Sequence, residues 1–169
     1  MVPVGFCSIA TPKHKFIMWS TIHDRLLTKV RIQQLSLLDD TKCVLCTKDK
    51  DESIKYLFME CSFSLGIWSK VRRAFYRRDV IRSWEKEIKV LARSTRQPKE
   101  NKAILHVTFV IFVALIWYEC NSRVFHNVIH TTSSLLRDIS VIIASRFLHL
   151  ESKRNFQQLQ HCVDRMVMY

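Results

Sequence analysis

Residues 43–61 read CVLCTKDKDESIKYLFMEC, and the three cysteines in this stretch decide how the chain folds. The two-residue gap between Cys43 and Cys46 lets both thiolates point at one ion from a tight turn. Cys61 follows a polar loop and a short helix that Ser53 is expected to cap. Structural zinc sites are closed and tetrahedral, so three thiolates need a fourth ligand. The stretch therefore predicts a zinc site that lacks one ligand.

The fourth ligand is not evident from the residues alone. Tyr56 is the best placed, but a phenol with a pKa near 10 is a poor zinc ligand because it must lose its proton to bind. His14, His23, Asp51 or water could complete the shell, although nothing in their spacing directs them to it. In the opposite interpretation, Tyr56 packs its ring in the ligand's place and the thiols form a small buried cluster without an ion. Both interpretations stay open.

Composition favours an all-α fold for the 169 residues. Hydrophobic residues make up 48% of the chain, which is enough for a packed core, and two glycines and three prolines are too few for a turn-rich β fold. We expect a helical subdomain that contains the cysteine knuckle (10–75), a basic helical connector (76–102) and a hydrophobic helical hairpin (103–169). No nucleotide-binding motif is present in the sequence.

Apolar periodicity and capping residues predict the individual helices. The first helix carries an apolar set at helical spacing that predicts one buried stripe: Phe16, Ile17, Trp19, Ile22, Leu26 and Leu27. Thr28 is expected to cap a second helix through its hydroxyl. The later helices are predicted from Ser83 onward, from about Pro98 to about His126, and over 134–150.

The charge of the chain points to an anionic partner. The formal net charge is +12, and residues 65–102 hold twelve lysines and arginines against four acidic residues. The helix after Cys61 has a basic outer surface that predicts non-specific phosphate contacts with RNA or DNA; a solvated surface without a partner is the alternative. The candidate nucleic-acid-binding residues are Lys70, Arg72, Arg73, Arg77 and Arg78.

The remaining function classes find little support. The apolar run 103–118 is shorter than the roughly 20 residues that span a bilayer, so we expect a core helix and no membrane association, with a membrane anchor as the alternative. No secretory signal precedes the cysteines, which favours an intracellular protein, nuclear or cytoplasmic and not secreted. No histidine, serine or acidic arrangement suggests a catalytic site, and no small-molecule substrate is expected.

Several motifs in combination resemble one family. A tryptophan-bearing helix at 12–19 is followed by Leu26-Leu27-Thr28, the C-x-x-C pair and Ile67-Trp68. Between the pair and Ile67-Trp68 lies ESIKYLFMEC, residues 52–61. Together these are similar to the zinc-binding domain that follows the reverse transcriptase of plant non-LTR (LINE-type) retrotransposons. The resemblance covers roughly residues 10–75, and residues 116–125 resemble a segment that often trails this domain.

The resemblance implies a non-catalytic accessory module that handles nucleic acid and binds zinc in Cys-Cys-His-Cys order. It places Cys43, Cys46 and Cys61 at three ligand positions and Tyr56 at the histidine's. Cys120 stands where the family usually has arginine. No Asp-Asp polymerase signature is present, so the alternative is a degenerate retroelement remnant with a structural role or no retained activity.

Overall fold

The computed structural model describes residues 10–75, 83–93, 99–147, 157, 160, 161 and 163–166. These residues form helices joined by loops, with no strand in those ranges, which confirms the all-α prediction. The helices are α1 (Pro12–Ile22), α2 (Lys29–Gln34), α3 (Ile54–Met59), α4 (Ser62–Phe75), α5 (Trp84–Arg93), α6 (Lys99–Asn121), a π-helix (Ser122–His126) and α7 (Thr132–Phe147).

Capping explains where the short helices begin. Ser53 accepts a hydrogen bond from the Tyr56 amide at 3.2 Å, as predicted for α3. The prediction that the Thr28 hydroxyl caps α2 is wrong, because that side chain makes no capping hydrogen bond. The carboxylate of Glu52 takes this role instead, accepting from the Lys29 amide at 3.2 Å. A residue 23 positions away therefore fixes the start of α2 against the start of α3.

The long helix α6 lies at the centre of the core. It packs against α1, α4 and α7, and its side chains from Val107 to Ala114 are all buried. Trp68 of α4 lies against two of its aromatic rings, with centroids 4.8 Å from Phe109 and 5.0 Å from Phe112. Trp84 of α5 joins the same group at 5.8 Å from Phe109. Aromatic rings bury a large apolar area each, so these contacts contribute strongly to the stability of the core.

The stretch Ile104–His126 is long and apolar enough to cross a membrane by length and composition. Its most apolar part is 72% buried inside the chain's own structure, as the core helix of a bundle would be. The continuous helical stretch ends at His126, where the sequence predicted, but its last turn is a π-helix. The expectation of no membrane association stays a prediction.

The orientation of α1 corrects a sequence prediction. Ile17, Met18 and Thr21 face the core, whereas Phe16 is 66% exposed and Trp19 is 42% exposed. Leu27, also expected in the buried stripe, is exposed. Both faces of α1 carry apolar residues, so the helical period fits either face and packing against α6 decides between them.

The remaining helix predictions agree with the structure in part. Helix α5 begins after Ser83 as expected, with Trp84 and Leu91 buried. Helix α7 begins at Thr132, two residues before the predicted start, and the predicted end at 148–150 and Pro98 lie outside the described residues. The division into three segments at 75 and 102 stays a prediction.

Candidate metal centre

A pinched loop presents the first two cysteines. The backbone of Lys42 pairs with that of Asp51 in an isolated antiparallel bridge, and the Cys43 amide donates to the Lys50 carbonyl at 2.9 Å. Side chains also join the two ends of this loop, since the Thr41 hydroxyl donates to the Asp51 carboxylate at 2.6 Å. Residues 43–50 are thereby folded back on themselves. The C-x-x-C pair sits inside this closed loop rather than on a free segment.

The third cysteine lies at the start of α4. The Cys61 amide donates to the Tyr56 carbonyl at 2.7 Å, which ends α3 and turns the chain into the next helix. A hydrogen bond from the Cys43 thiol and the amides of Ser64 and Phe63 lower the pKa of Cys61 to about 5, although burial opposes them. The hydrogen bond to Cys61 and burial raise the pKa of Cys43. The two shifts are opposite in direction, so Cys61 is the cysteine of this pair that loses its proton more readily.

The three sulfurs are close enough to share an ion. The Sγ atoms of Cys43, Cys46 and Cys61 all lie within 4.8 Å of one another, and those of Cys43 and Cys61 are 3.9 Å apart. Zinc binds sulfur at about 2.3 Å, so a tetrahedral ion holds two sulfurs about 3.8 Å apart. Cys43 and Cys61 are buried and Cys46 is half-buried. The sequence prediction named these three residues, and the structure brings them together with a spacing that fits zinc.

Tyr56 lies beside the cysteine cluster. It is on α3 with its residue only 8% exposed, and its phenol oxygen is 3.2 Å from the Cys46 sulfur. Burial, and then the hydrogen bond with Cys46, raise the pKa of the Tyr56 phenol. A phenol that keeps its proton does not ligate a metal. The donor set therefore fits three positions of a structural zinc site and not the fourth.

The other residues considered as fourth ligands lie elsewhere. His23 hydrogen-bonds the Trp19 carbonyl at 2.9 Å, and His14 lies beside the Tyr118 ring. The Asp51 carboxylate binds Thr41 and Lys42 in the neck of the loop. Within the described residues, the metal-capable cluster contains the three cysteines and no histidine or carboxylate. Water is the remaining candidate for the open position.

Arg123 supports the C-x-x-C turn from the π-helix. Its Nη1 atom lies 3.3 Å from the carbonyl oxygens of Val44 and Leu45, the two residues between the cysteines. The guanidinium also lies over the Phe63 ring, 4.6 Å from its centroid. Glu119, one turn earlier on α6, accepts from Arg123 Nε at 2.7 Å and holds the guanidinium in place. A residue 79 positions along the chain thus orients the metal-site loop.

Glu119 is itself held by a second partner. Its carboxylate is buried and accepts from the backbone amide and the Nδ1 atom of His130, at 2.9 and 2.7 Å. Burial alone would raise the pKa of Glu119, but these hydrogen bonds and the one from Arg123 lower it below the ordinary value. The charged carboxylate is therefore the form that the fold stabilises.

Glu52 links the cysteine loop to α6. It is buried, with one carboxylate oxygen on the Lys29 amide and the other 3.0 Å from the Cys120 sulfur. Burial raises the pKa of Glu52 despite both hydrogen bonds. In the sequence, Cys120 is a departure from the family motif. In the structure, burial raises the pKa of its thiol, which donates a hydrogen bond to the buried Glu52 carboxyl group.

Of the five predicted nucleic-acid-binding residues, the structure describes Lys70, Arg72 and Arg73, and these three differ in exposure. Arg72 is only 3% exposed and forms a buried ion pair with Glu87 of α5, so the prediction that it faces solvent is wrong. Lys70 is half-buried on α4, and Arg73 is exposed. Arg77 and Arg78 lie outside the described residues. Arg165 reaches the same end of α4, where its Nη2 atom donates to the Arg73 carbonyl at 2.7 Å.

Comparison with known families bears on the N-terminal part of the chain. The family model described as zinc-binding in reverse transcriptase matches residues 4–68. The matched segment contains the three cysteines and Tyr56 and ends at Trp68, so Arg123 and Cys120 lie beyond it. No curated protein and no solved structure matches the chain significantly. The match supports the resemblance to a reverse-transcriptase zinc-binding domain.

Proposed function

We propose that this chain, whose residues 4–68 match the zinc-binding module of reverse transcriptases, is a non-catalytic accessory module that binds RNA or DNA without sequence preference. The parent element would be a plant LINE-type retrotransposon, as the wider motif pattern suggests. The nucleus or cytoplasm would suit four thiols that are free in the structure, since reducing compartments keep cysteines unpaired. No small-molecule substrate is needed for this role.

The observation that carries the proposal is the position of the thiol cluster next to a basic helix. Cys61 immediately precedes α4, and Lys70 and Arg73 lie two to three turns further along the chain on that helix, with Arg165 beside Arg73. When bound, zinc supplies a structural crosslink between the cysteine loop and this helix. The residues of the chain would then hold α4 in a fixed orientation and contact phosphates through lysine and arginine.

Binding to a 20-nucleotide RNA, measured from 50 to 300 mM salt, tests the proposal. Phosphate contacts release counterions, so affinity should fall steeply with salt, and Lys70→Ala should reduce the logarithmic slope by about 0.7 for a single strand. Lys50→Ala, in the exposed cysteine loop, is the matched control. Affinity no higher than that of an unrelated protein with the same net charge would contradict the proposal.

A second candidate function rests on Tyr56. A module that has lost a zinc ligand can persist as a degenerate remnant with a structural role or none, its fold held by the aromatic core. Purified protein would then contain no stoichiometric metal and would bind RNA no better than the charge-matched protein. The two measurements together separate the candidates.

A further inference from the structure

The outward face of α1 carries three aromatic rings that are exposed in the described structure. Phe16, Trp19 and His23 are three and four residues apart, which places them on one side of the helix, and all three are exposed. The opposite side, with Ile17 and Met18, is buried. We call these three residues the aromatic face. An exposed run of large rings on a helix that already has a buried side is unusual unless something binds there.

The rings are arranged for stacking. The planes of Phe16 and Trp19 differ by 24° with centroids 6.3 Å apart, and the Trp19 and His23 centroids are 4.7 Å apart. Because the planes of Phe16 and Trp19 are similar in orientation, two neighbouring planar groups of one ligand could each stack on one ring without a sharp bend of the ligand between them. The His23 ring is further fixed by its hydrogen bond to the Trp19 carbonyl. The face is therefore preorganised, which lowers the entropic cost of binding.

Positive charge surrounds the aromatic face. The Arg25 guanidinium lies 5.1 Å from the Trp19 ring centroid, and Lys15 is exposed on the same helix. Between Ala10 and Arg25 the sequence has one acidic residue, Asp24. Aromatic rings interleaved with lysine and arginine are what single-stranded nucleic acids bind, because the bases stack and the phosphates need neutralising. An apolar protein partner would gain nothing from this rim of cations.

We propose that the aromatic face of α1 is a single-strand binding site, on which bases of RNA or DNA stack against Phe16 and Trp19 while Arg25 and Lys15 neutralise phosphates. The inference rests on the proposed function and deepens it, since it names single strands as the preferred partner and assigns a second contact surface apart from α4. A duplex keeps its bases stacked inside, so it cannot use these rings.

The test compares a 12-nucleotide oligo(U) with a 12-base-pair duplex, using anisotropy of labelled nucleic acid and tryptophan fluorescence. Phe16→Leu and Trp19→Leu remove the rings but keep apolar side chains, Phe16→Tyr and Trp19→Phe keep the rings, and Leu37→Ala changes an exposed apolar residue off the face. Circular dichroism and thermal melting check that each variant folds. Quenching of Trp19 by oligo(U) should disappear in Trp19→Leu.

We expect each leucine variant to weaken oligo(U) binding about tenfold, with duplex binding changed less than twofold and the ring-keeping variants near wild type. If Phe16→Leu and Trp19→Leu bound oligo(U) as tightly as wild type, with the same dependence on salt, this inference would be wrong. The proposed function would still hold, because the chain would still bind nucleic acid. A change only in oligomeric state would overturn this inference too, by showing a protein contact surface. Absence of binding to every nucleic acid would overturn both.

Discussion

The phenol oxygen of Tyr56 lies 3.2 Å from the sulfur of Cys46, one of three cysteines whose sulfurs lie within 4.8 Å of one another. Tyr56 therefore contacts the cluster through a hydrogen bond with Cys46. Within the described residues, the cluster offers three sulfurs to a metal ion and no histidine or carboxylate as a fourth ligand.

Arg123 should be needed for both folding and metal affinity. Arg123→Ala removes the hydrogen bonds to the Val44 and Leu45 carbonyls and leaves the buried Glu119 with His130 alone. Breaking a buried pair costs about 3 kcal/mol, and loss of such an outer contact weakens metal binding about 10–100-fold. Urea unfolding and zinc competition titration measure the two effects.

Two variants control this prediction. Arg123→Lys keeps the charge but not the planar fork, so its loss of stability should be intermediate. Arg137→Ala, on the exposed side of α7, should stay within about 0.5 kcal/mol of wild type. If Arg123→Ala were as stable as Arg137→Ala, the π-helix would not support the cysteine loop.

Arg72 should act in folding and not in nucleic-acid binding. Arg72→Ala removes the buried ion pair with Glu87, which should cost about 3–5 kcal/mol of unfolding free energy. Replacing both residues, as Arg72→Met with Glu87→Leu, should restore stability, because an apolar pair of similar size avoids burying charge. RNA affinity of the double variant, measured by anisotropy, should match wild type within twofold. A large loss of affinity in a stably folded double variant would mean that Arg72 contacts phosphates.

The difference between Arg72 and the cysteines shows what a sequence can reveal. The spacing of Cys43, Cys46 and Cys61 and the cap at Ser53 are local patterns, and the structure places them as the patterns indicate. Whether Arg72 faces out or in depends on Glu87, which lies on another helix. Periodicity along one helix cannot contain that information.

Two other features also depend on contacts that local sequence patterns do not contain. Arg123 lies in the segment 116–125 that resembles the family, but its contact with the cysteine loop joins residues 78 and 79 positions apart. The exposure of Phe16 and Trp19 could not be predicted because both faces of α1 are apolar. Motif resemblance supplied the only sequence signal that linked the C-terminal segment to the cysteine loop.

Because of Glu52, the free energy of unfolding should fall as the pH rises above 4.5, the ordinary pKa of a glutamate. Burial raises the pKa of Glu52 above the ordinary 4.5, so between 4.5 and the raised value the folded chain binds more protons than the unfolded chain. Stability is therefore lost with rising pH through that window. Glu52→Gln removes the titration and keeps an acceptor for the Lys29 amide.

Urea unfolding from pH 4 to 8, with a chelator present, measures this effect. The stability of Glu52→Gln relative to wild type should rise through the window and then level off, while Glu60→Gln, at an exposed position, shows no such rise. Other titrating groups, Glu119 among them, are common to both proteins and cancel in the difference. A difference that is flat across the window would mean that the Glu52 carboxyl group is not buried in solution.

Tyr56→His should add the missing ligand to an intact set of three. Loss of a contact that only supports a metal ligand changes metal affinity about 10–100-fold. A ligand itself contributes more, so adding the histidine should raise zinc affinity at least about 100-fold. Tyr56→Phe, which removes the hydrogen bond to Cys46 without adding a ligand, and Cys61→Ser in the Tyr56→His background are the controls. Cys61→Ser in the Tyr56→His background should abolish the gain in zinc affinity.

Zinc titration of wild type beside Tyr56→His, by competition with a chromogenic chelator at pH 7, measures whether the natural chain lacks a fourth zinc ligand. Wild type should bind zinc weakly through three thiolates, and the histidine variant should have a tight, stoichiometric site. Equally tight stoichiometric binding by both proteins would contradict this expectation, because the fourth position would then already be filled in the natural chain.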